Sequence, residues 1–210
     1  MKYYLIPFIV MLFISCESPA NTGEDKLTTY KGELDTATFA GGCFWCIEAS
    51  FEQIKGVVEA VSGYEGGSKK DAHYEIVGMG RTKHAETVQI YYDPSVIDYS
   101  TLLDIFFTAH DPTQLNRQGP DVGPQYRSAI FYHNDEQKKL AQEKIKELSG
   151  SFDQPIVTEV TPHTEFYMAE DYHQDYEKHH PFNPYILNVS KPKINRVRAK
   201  FPQLLKDEDM

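Results

Sequence analysis

The chain has 210 residues, three cysteines and a formal net charge of −10, with 40% hydrophobic and 25% charged residues. That length suits one compact domain that builds its own core, three cysteines cannot form a disulfide framework, and the negative balance opposes phosphate, so no nucleic-acid partner is expected. The one basic run, Lys191 to Lys200, reads as the solvated decoration of a C-terminal helix.

At the N-terminus Lys2 precedes an apolar run from Leu5 to Ile14, only half of the roughly 20 residues needed to span a bilayer. It ends in Ile14-Ser15-Cys16, which is similar to a bacterial lipoprotein processing site. Residues 1–15 are therefore expected to be a signal peptide, with Cys16 the lipidation site and the membrane a partner through that anchor. Residues 16–35, polar from Glu17 to Asp35, read as a flexible tether. A domain over 36–200 and an acidic tail over 201–210 complete the division. The alternative is an ordinary cleaved leader with an incidental Cys16, which makes the protein secreted or periplasmic and soluble. On both readings the chain leaves the cytoplasm; the first places it in the cell envelope as a membrane-anchored lipoprotein.

A short β-prone run, Thr36 to Ala40, leads into Gly41-Gly42-Cys43-Phe44-Trp45-Cys46, and apolar residues at Ile47, Phe51 and Ile54 then take helical spacing. The glycines mark a strand-to-helix turn with Cys43 at the helix start, where unpaired N–H groups and the helix dipole favour a thiolate. Cys46 lies one turn on, close enough for a disulfide after a modest rearrangement of that turn. A redox pair is the first reading and zinc a rival, although a closed zinc site wants four ligands and the third cysteine, Cys16, is remote.

Gly56 to Tyr64 reads as a strand ended by the glycine-rich turn at Glu65 to Ser68, and Asp71 to Gly80 as a loop with a short strand. His84 to Tyr92 alternates, putting Glu86, Val88, Ile90 and Tyr92 on one face. Glu86 is then either a desolvated carboxyl with a raised pKa, suited to donating a proton, or an edge residue turned to solvent. A helix is predicted over Tyr99 to His110, capped near Asp98 or Ser100, then a long loop from Asp111 to Gln125 that delivers Gln125-Tyr126-Arg127-Ser128 into a strand from Ala129 to Tyr132. Asn134 caps a helix that Gly150 stops, and a strand follows at Ile156 to Val160. Phe166 to Tyr176 is aromatic and acidic, and His179 to Tyr185 is proline-rich. His173, His179 and His180 lack the spacing of a four-ligand set, so no metal is assigned.

Gly41-Gly42-Cys43-Phe44-Trp45, Ser62-Gly63-Tyr64-Glu65-Gly66-Gly67, His84-Ala85-Glu86, Tyr92-Asp93-Pro94, His110-Asp111-Pro112, Asp121 through Ser128, and Ala169 through Tyr176 stand in one order along the domain. Together these blocks resemble the peptide methionine sulfoxide reductases of the A type. The resemblance implies an α+β fold, a ferredoxin-like two-layer sandwich with a mixed sheet in a single catalytic domain. It implies a thiol-dependent reductase of S-epimer methionine sulfoxide, free or in oxidised proteins, that serves protein repair under oxidative stress. Cys43 would be the nucleophile and Glu86 the acid, with Tyr64 and Tyr126 on the sulfoxide oxygen and Phe44 and Trp45 around the substrate methyl group. Asp121 would support the Tyr126 loop, and His173 and Tyr176 would belong to the substrate side of the site.

The family usually places recycling cysteines near the C-terminus, whereas this chain has none after Cys46. The thiol that resolves a Cys43 sulfenic acid is then Cys46, or comes from outside. No cofactor is expected beyond an external thioredoxin or other dithiol reductant, and a monomer is expected. A general thiol–disulfide oxidoreductase, read from the CxxC alone, explains neither Glu86 nor the tyrosines. A non-enzymatic lipoprotein binding module would leave Cys43→Ser without effect. Mass spectrometry of the mature N-terminus checks the reading of the leader: an acylated Cys16 is expected, and a soluble protein retaining Met1 overturns it.

Overall fold

The computed structural model describes residues 23–207, so the expected signal peptide and Cys16 lie outside the described residues. A short helix α1 (Gly23–Thr29) precedes strand β1 (Asp35–Gly41), helix α2 (Phe44–Glu52) and strand β2 (Val57–Glu65). A four-residue helix α3 (Tyr74–Val77) then leads to strand β3 (Ala85–Tyr92) and helix α4 (Tyr99–Ala109). A two-residue hairpin β4 (Arg117–Gln118) and β5 (Asp121–Val122) comes before strand β6 (Ser128–Tyr132), helix α5 (Asp135–Leu148) and strands β7 (Glu159–Pro162) and β8 (Tyr167–Met168). Helix α6 (Tyr176–His179), a π turn over Ile186–Ser190 and helix α7 (Lys191–Lys200) complete the chain.

The six-stranded sheet has the order β7-β6-β1-β3-β2-β8. Its inner four strands are antiparallel neighbours in the ferredoxin-like order, and β7 runs parallel to β6, which makes the sheet mixed as the resemblance implied. Alternation along the strands sends Phe39, Val88, Ile90 and Ile130 into the main core with Ile47 and Phe51 of α2 and Leu102, Leu103 and Phe106 of α4. Phe39 stacks on Phe106 at 4.8 Å between ring centroids. The opposite face carries a smaller cluster of Ala40, Ala85, Ala129 and Phe131. Asp98 caps α4 through Thr101 N at 2.7 Å, and Asn134 caps α5 through Gln137 N at 2.9 Å, as the sequence predicts.

Several expectations are corrected. The segment 71–80 holds α3 and no strand, because backbone bonds from Val77 N to His73 O and Gly78 N to Tyr74 O close helical turns. The strand expected at 156–160 starts three residues later, at Glu159, where pairing with Ala129 begins; Val157 N is held instead by Pro112 O at 2.9 Å. The expected tether is structured from residue 23: Lys26 of α1 pairs with Glu59 at 2.7 Å and Glu52 at 3.5 Å, and Tyr30 donates to Asp93. The expected tail joins the domain, since Leu205 bridges to Ile54 and Lys206 N donates to Gln53 O at 2.8 Å. Helix α7 is no mere solvated decoration: it buries Lys193, Ile194 and Val197, and Arg196 holds Thr108 O and Ala109 O at 2.8 and 3.1 Å. Among the described residues no helix is long and apolar enough to cross a membrane.

The turn from β1 into α2 depends on Gly42, whose φ of +95° lies where L side chains are strained. A Cβ there would also meet Gln118 Cβ and Cγ at 2.6 Å. Gly42→Ala is expected to destabilise the domain by about 1–3 kcal/mol, read by urea denaturation; a midpoint equal to wild type would show that the turn tolerates a side chain.

Candidate active site

Cys43 is the N-cap residue of α2, 6% exposed, and it offers no side-chain cap to the first turn. One of the first-turn N–H groups that no intrahelical carbonyl reaches is taken from across the sheet: Phe44 N donates to Glu86 Oε2 at 3.1 Å. Glu86 reaches it because β3 aims residues 86, 88, 90 and 92 at the helix layer. It is 2% exposed, so the reading of Glu86 as an edge residue turned to solvent does not hold. Burial above all, with the charges of Asp121 and Cys46, outweighs the Phe44 N–H and raises the carboxyl to about 8. Glu86 is therefore a protonated acid at neutral pH.

The two thiols are free and buried together. Cys46 is drawn down to about 6, first by the hydrogen bond from Cys43 and, against burial, by Lys193, Ser190 and Tyr185. Cys43 moves well upward, because burial, the Cys46 sulfur and the Glu86 charge all disfavour a second anion. Burial and the paired sulfur thus act against the thiolate that the helix start favours on Cys43. The groups around the pair favour the proton on Cys43 and the charge on Cys46.

Around the sulfurs lies an aromatic wall. Phe44 is buried and Trp45 half-buried, and Trp45 stacks flat on Tyr176 at 3.7 Å with 7° between planes. Its indole N–H donates to His173 Nδ1 at 3.1 Å. Burial lowers His173 to about 4, so its ring is neutral and accepts at that nitrogen. Asp121 Oδ2 accepts from Tyr185 O–H at 2.5 Å, and the Tyr185 phenol lies against both sulfurs. Asp121 therefore orients Tyr185 besides belonging to the Tyr126 loop.

Tyr64 is displaced from its expected role. Its hydroxyl donates to Glu170 Oε2 at 2.9 Å, which commits its single proton. The phenol that shares Tyr126's surroundings is Tyr74, raised to about 12 by burial and by the charges of Glu86 and Cys43. Tyr126 is raised by the same causes, with Tyr74 added. Gln125 Nε2 holds Gly78 O at 3.1 Å, fastening the Tyr126 turn to the end of α3. Tyr74 and Tyr185 escaped the sequence reading, since both stand in loop-like stretches without periodicity and nothing but an aromatic identity marks them.

Among the described residues no group of three or more His, Cys, Asp or Glu is placed to hold a metal ion. His173 is enclosed beside Trp45, whereas His179 and His180 are exposed. A cavity of about 670 Å³ lies over the outer side of α2, between Glu48, Glu52, Asp175 and Arg198, and none of the site's sulfurs lines it.

A buried dithiol beside a protonated carboxyl and two uncommitted phenols is the equipment of a thiol-based reductase. The family model described as peptide methionine sulfoxide reductase matches residues 35–205. A curated relative from Pasteurella multocida, the peptide methionine sulfoxide reductase MsrA, is 54% identical over 170 residues, covering 81% of this chain and 98% of its own. Among solved structures, reduced Mxr1 of Saccharomyces cerevisiae superposes with a TM-score of 0.69 at 36% identity, covering 74% of this chain and 92% of that one. The same yeast protein in complex with Trx2 gives 0.50 at 28% identity, with 70% and 90% covered. This chain belongs to the peptide methionine sulfoxide reductase family, a family of oxidoreductases.

The Glu86 shift has a consequence for stability. A folded-state carboxyl raised above its unfolded value contributes stability at low pH that is lost as pH rises through the folded value, here between about 4.5 and about 8. Glu86→Gln lacks that loss, so its stability relative to wild type should rise across this window. Urea denaturation at both ends measures it, and a constant difference would show that Glu86 ionises normally.

Proposed function

We propose that this protein reduces the S epimer of methionine sulfoxide, free and in oxidised proteins, to methionine. The observation that carries the reading is the placement of protonated Glu86 beside the Cys43 thiol, with Tyr74 and Tyr126 facing the same space. A sulfoxide sulfur is electrophilic, but its oxygen leaves only when hydrogen-bonded and protonated. Phe44 and Trp45 supply an apolar surface for the substrate methyl group.

As Cys43 attacks the sulfoxide sulfur, its proton passes to the Cys46 sulfur and the oxygen takes the proton of Glu86. The oxygen then moves to Cys43: the sulfur–oxygen bond of the substrate breaks, methionine departs, and Cys43 becomes a sulfenic acid. Cys46 attacks the Cys43 sulfur, the sulfur–sulfur bond forms, the hydroxyl leaves as water with the proton that Cys46 had taken, and Glu86 regains a proton from solvent. A dithiol donor reduces the disulfide; the yeast relative solved with Trx2 supports a thioredoxin-like protein in that role. No prosthetic group enters any step. With Cys16 acylated, the enzyme would work at the envelope on oxidised envelope proteins and would draw on a donor that reaches that compartment.

Cys46→Ser is expected to release about one methionine per enzyme in a single turnover and then stall with thioredoxin as reductant. Unimpaired cycling by that variant would remove Cys46 from the resolving role. Separated S and R methionine sulfoxide with dithiothreitol test the substrate: turnover of the S form alone is expected, and equal turnover of both would overturn the reading.

A further inference from the structure

Lys193 is a buried cation without a carboxylate. It is 8% exposed, and among the described residues its ammonium has one polar contact, Cys46 Sγ at 3.8 Å. A charge withdrawn from water is costly unless paired, so the arrangement calls for an anion on Cys46. The same sulfur meets Ser190 Oγ at 3.0 Å. Both partners come from one local feature, because the π turn over Ile186–Ser190 runs directly into α7 and sets residues 190 and 193 against the first turn of α2. Single π turns within helices frequently occur at functional sites.

The other groups around Cys46 do not compete for the charge. The Cys43 thiol is a donor, and the Tyr185 phenol, whose proton goes to Asp121, is neutral because burial raises it; the Asp121 carboxylate lies one phenol further out. Glu86 from β3 is protonated at neutral pH. His110, at the end of α4, is neutral near Lys193, since burial first and then Lys193 itself lower it to about 4.

We infer that Lys193, with Ser190, is a positioning residue that holds Cys46 as a thiolate and thereby makes the Cys43–Cys46 disulfide easier to reduce again. The inference rests on the proposed roles of Cys43 and Cys46. When the disulfide forms, the Cys46 anion is consumed and Lys193 is left buried without its counter-charge. When a dithiol donor supplies two electrons, its own sulfurs become a disulfide, one of its protons goes to Cys43 and the other to solvent, and the Cys46 thiolate returns beside Lys193. Restored pairing favours the reduced form, as in other dithiol proteins whose reduced state is stabilised.

The test uses the full-length reduced protein without substrate. Ultraviolet thiolate absorbance should titrate near pH 6 in wild type and disappear from that range in Cys46→Ser. Lys193→Met should raise the midpoint by about one pH unit or more, Lys193→Arg should keep it near wild type, and Ser190→Ala should shift it upward by less. In a glutathione buffer the Lys193→Met disulfide should be about tenfold harder to reduce, which corresponds to about 30 mV for two electrons. An unmoved midpoint in Lys193→Met, or a low-pH thiolate that survives in Cys46→Ser, overturns the inference. Should Lys193→Met not fold, an unmoved midpoint in Ser190→Ala has the same force. Because these readouts involve no sulfoxide, their failure leaves the reaction assignment standing, whereas thioredoxin-linked cycling by Cys46→Ser would overturn that assignment and leave the titration intact.

Discussion

The hydrogen bond from Phe44 N to Glu86 joins the first turn of α2 to the start of β3, and most of the site's chemistry depends on it. A helix start has N–H groups that need acceptors, and Cys43 gives none from its side chain. Glu86 meets the first of them, that of Phe44, from a different element, which places a carboxyl next to the candidate nucleophile. The carboxyl is so enclosed that this N–H does not keep it ionised, and it accepts the bond while retaining its proton. The helix start, the strand register and a carboxyl proton thus meet in one contact.

Desolvation decides where the remaining protons sit. In a region of low dielectric, two anions side by side are far costlier than one. Burial favours the proton on Glu86 and Cys43 and neutral rings at His173 and His110, while Lys193 and Ser190 beside Cys46 favour the negative charge there. A sulfur that holds charge beside a sulfur that holds a proton also defines a direction for proton transfer when Cys43 begins to bond to another atom.

The C-terminal third of the chain encloses these groups. Tyr176 covers one face of Trp45, His173 fixes the indole N–H, and Tyr185 meets the Trp45 ring edge-on at 6.0 Å while Asp121 holds its hydroxyl. Short turns and 3₁₀ segments bring these residues in, because each must reach one spot rather than pack along a face. Helix α7 then closes the far side with Lys193 and Ser190. The site is therefore built from three distant stretches, around residues 43, 86 and 173 to 193, with the Tyr74 and Tyr126 turns fastened together at its mouth.

The elements with a strong repeat were legible in the amino acids alone. The alternation of residues 86 to 92 specified a strand and the face on which Glu86 lies, Asp98 and Asn134 marked two helix starts, and the double glycine with CxxC marked the turn that carries the thiols. Periodicity and capping are local properties, so the sequence determined them without reference to the rest of the molecule. Tyr64 illustrates the limit: its motif is clear, but only the fold shows Glu170 taking its proton and Tyr74 standing beside Glu86 and Cys43 instead. The thiols belong to the same category, since helix-start reasoning favours a thiolate on Cys43, and only the fold brings Lys193 and Ser190, almost 150 positions away, against Cys46. Charge at a buried atom depends on every group within a few ångströms, and those neighbours come together only when the tertiary structure forms.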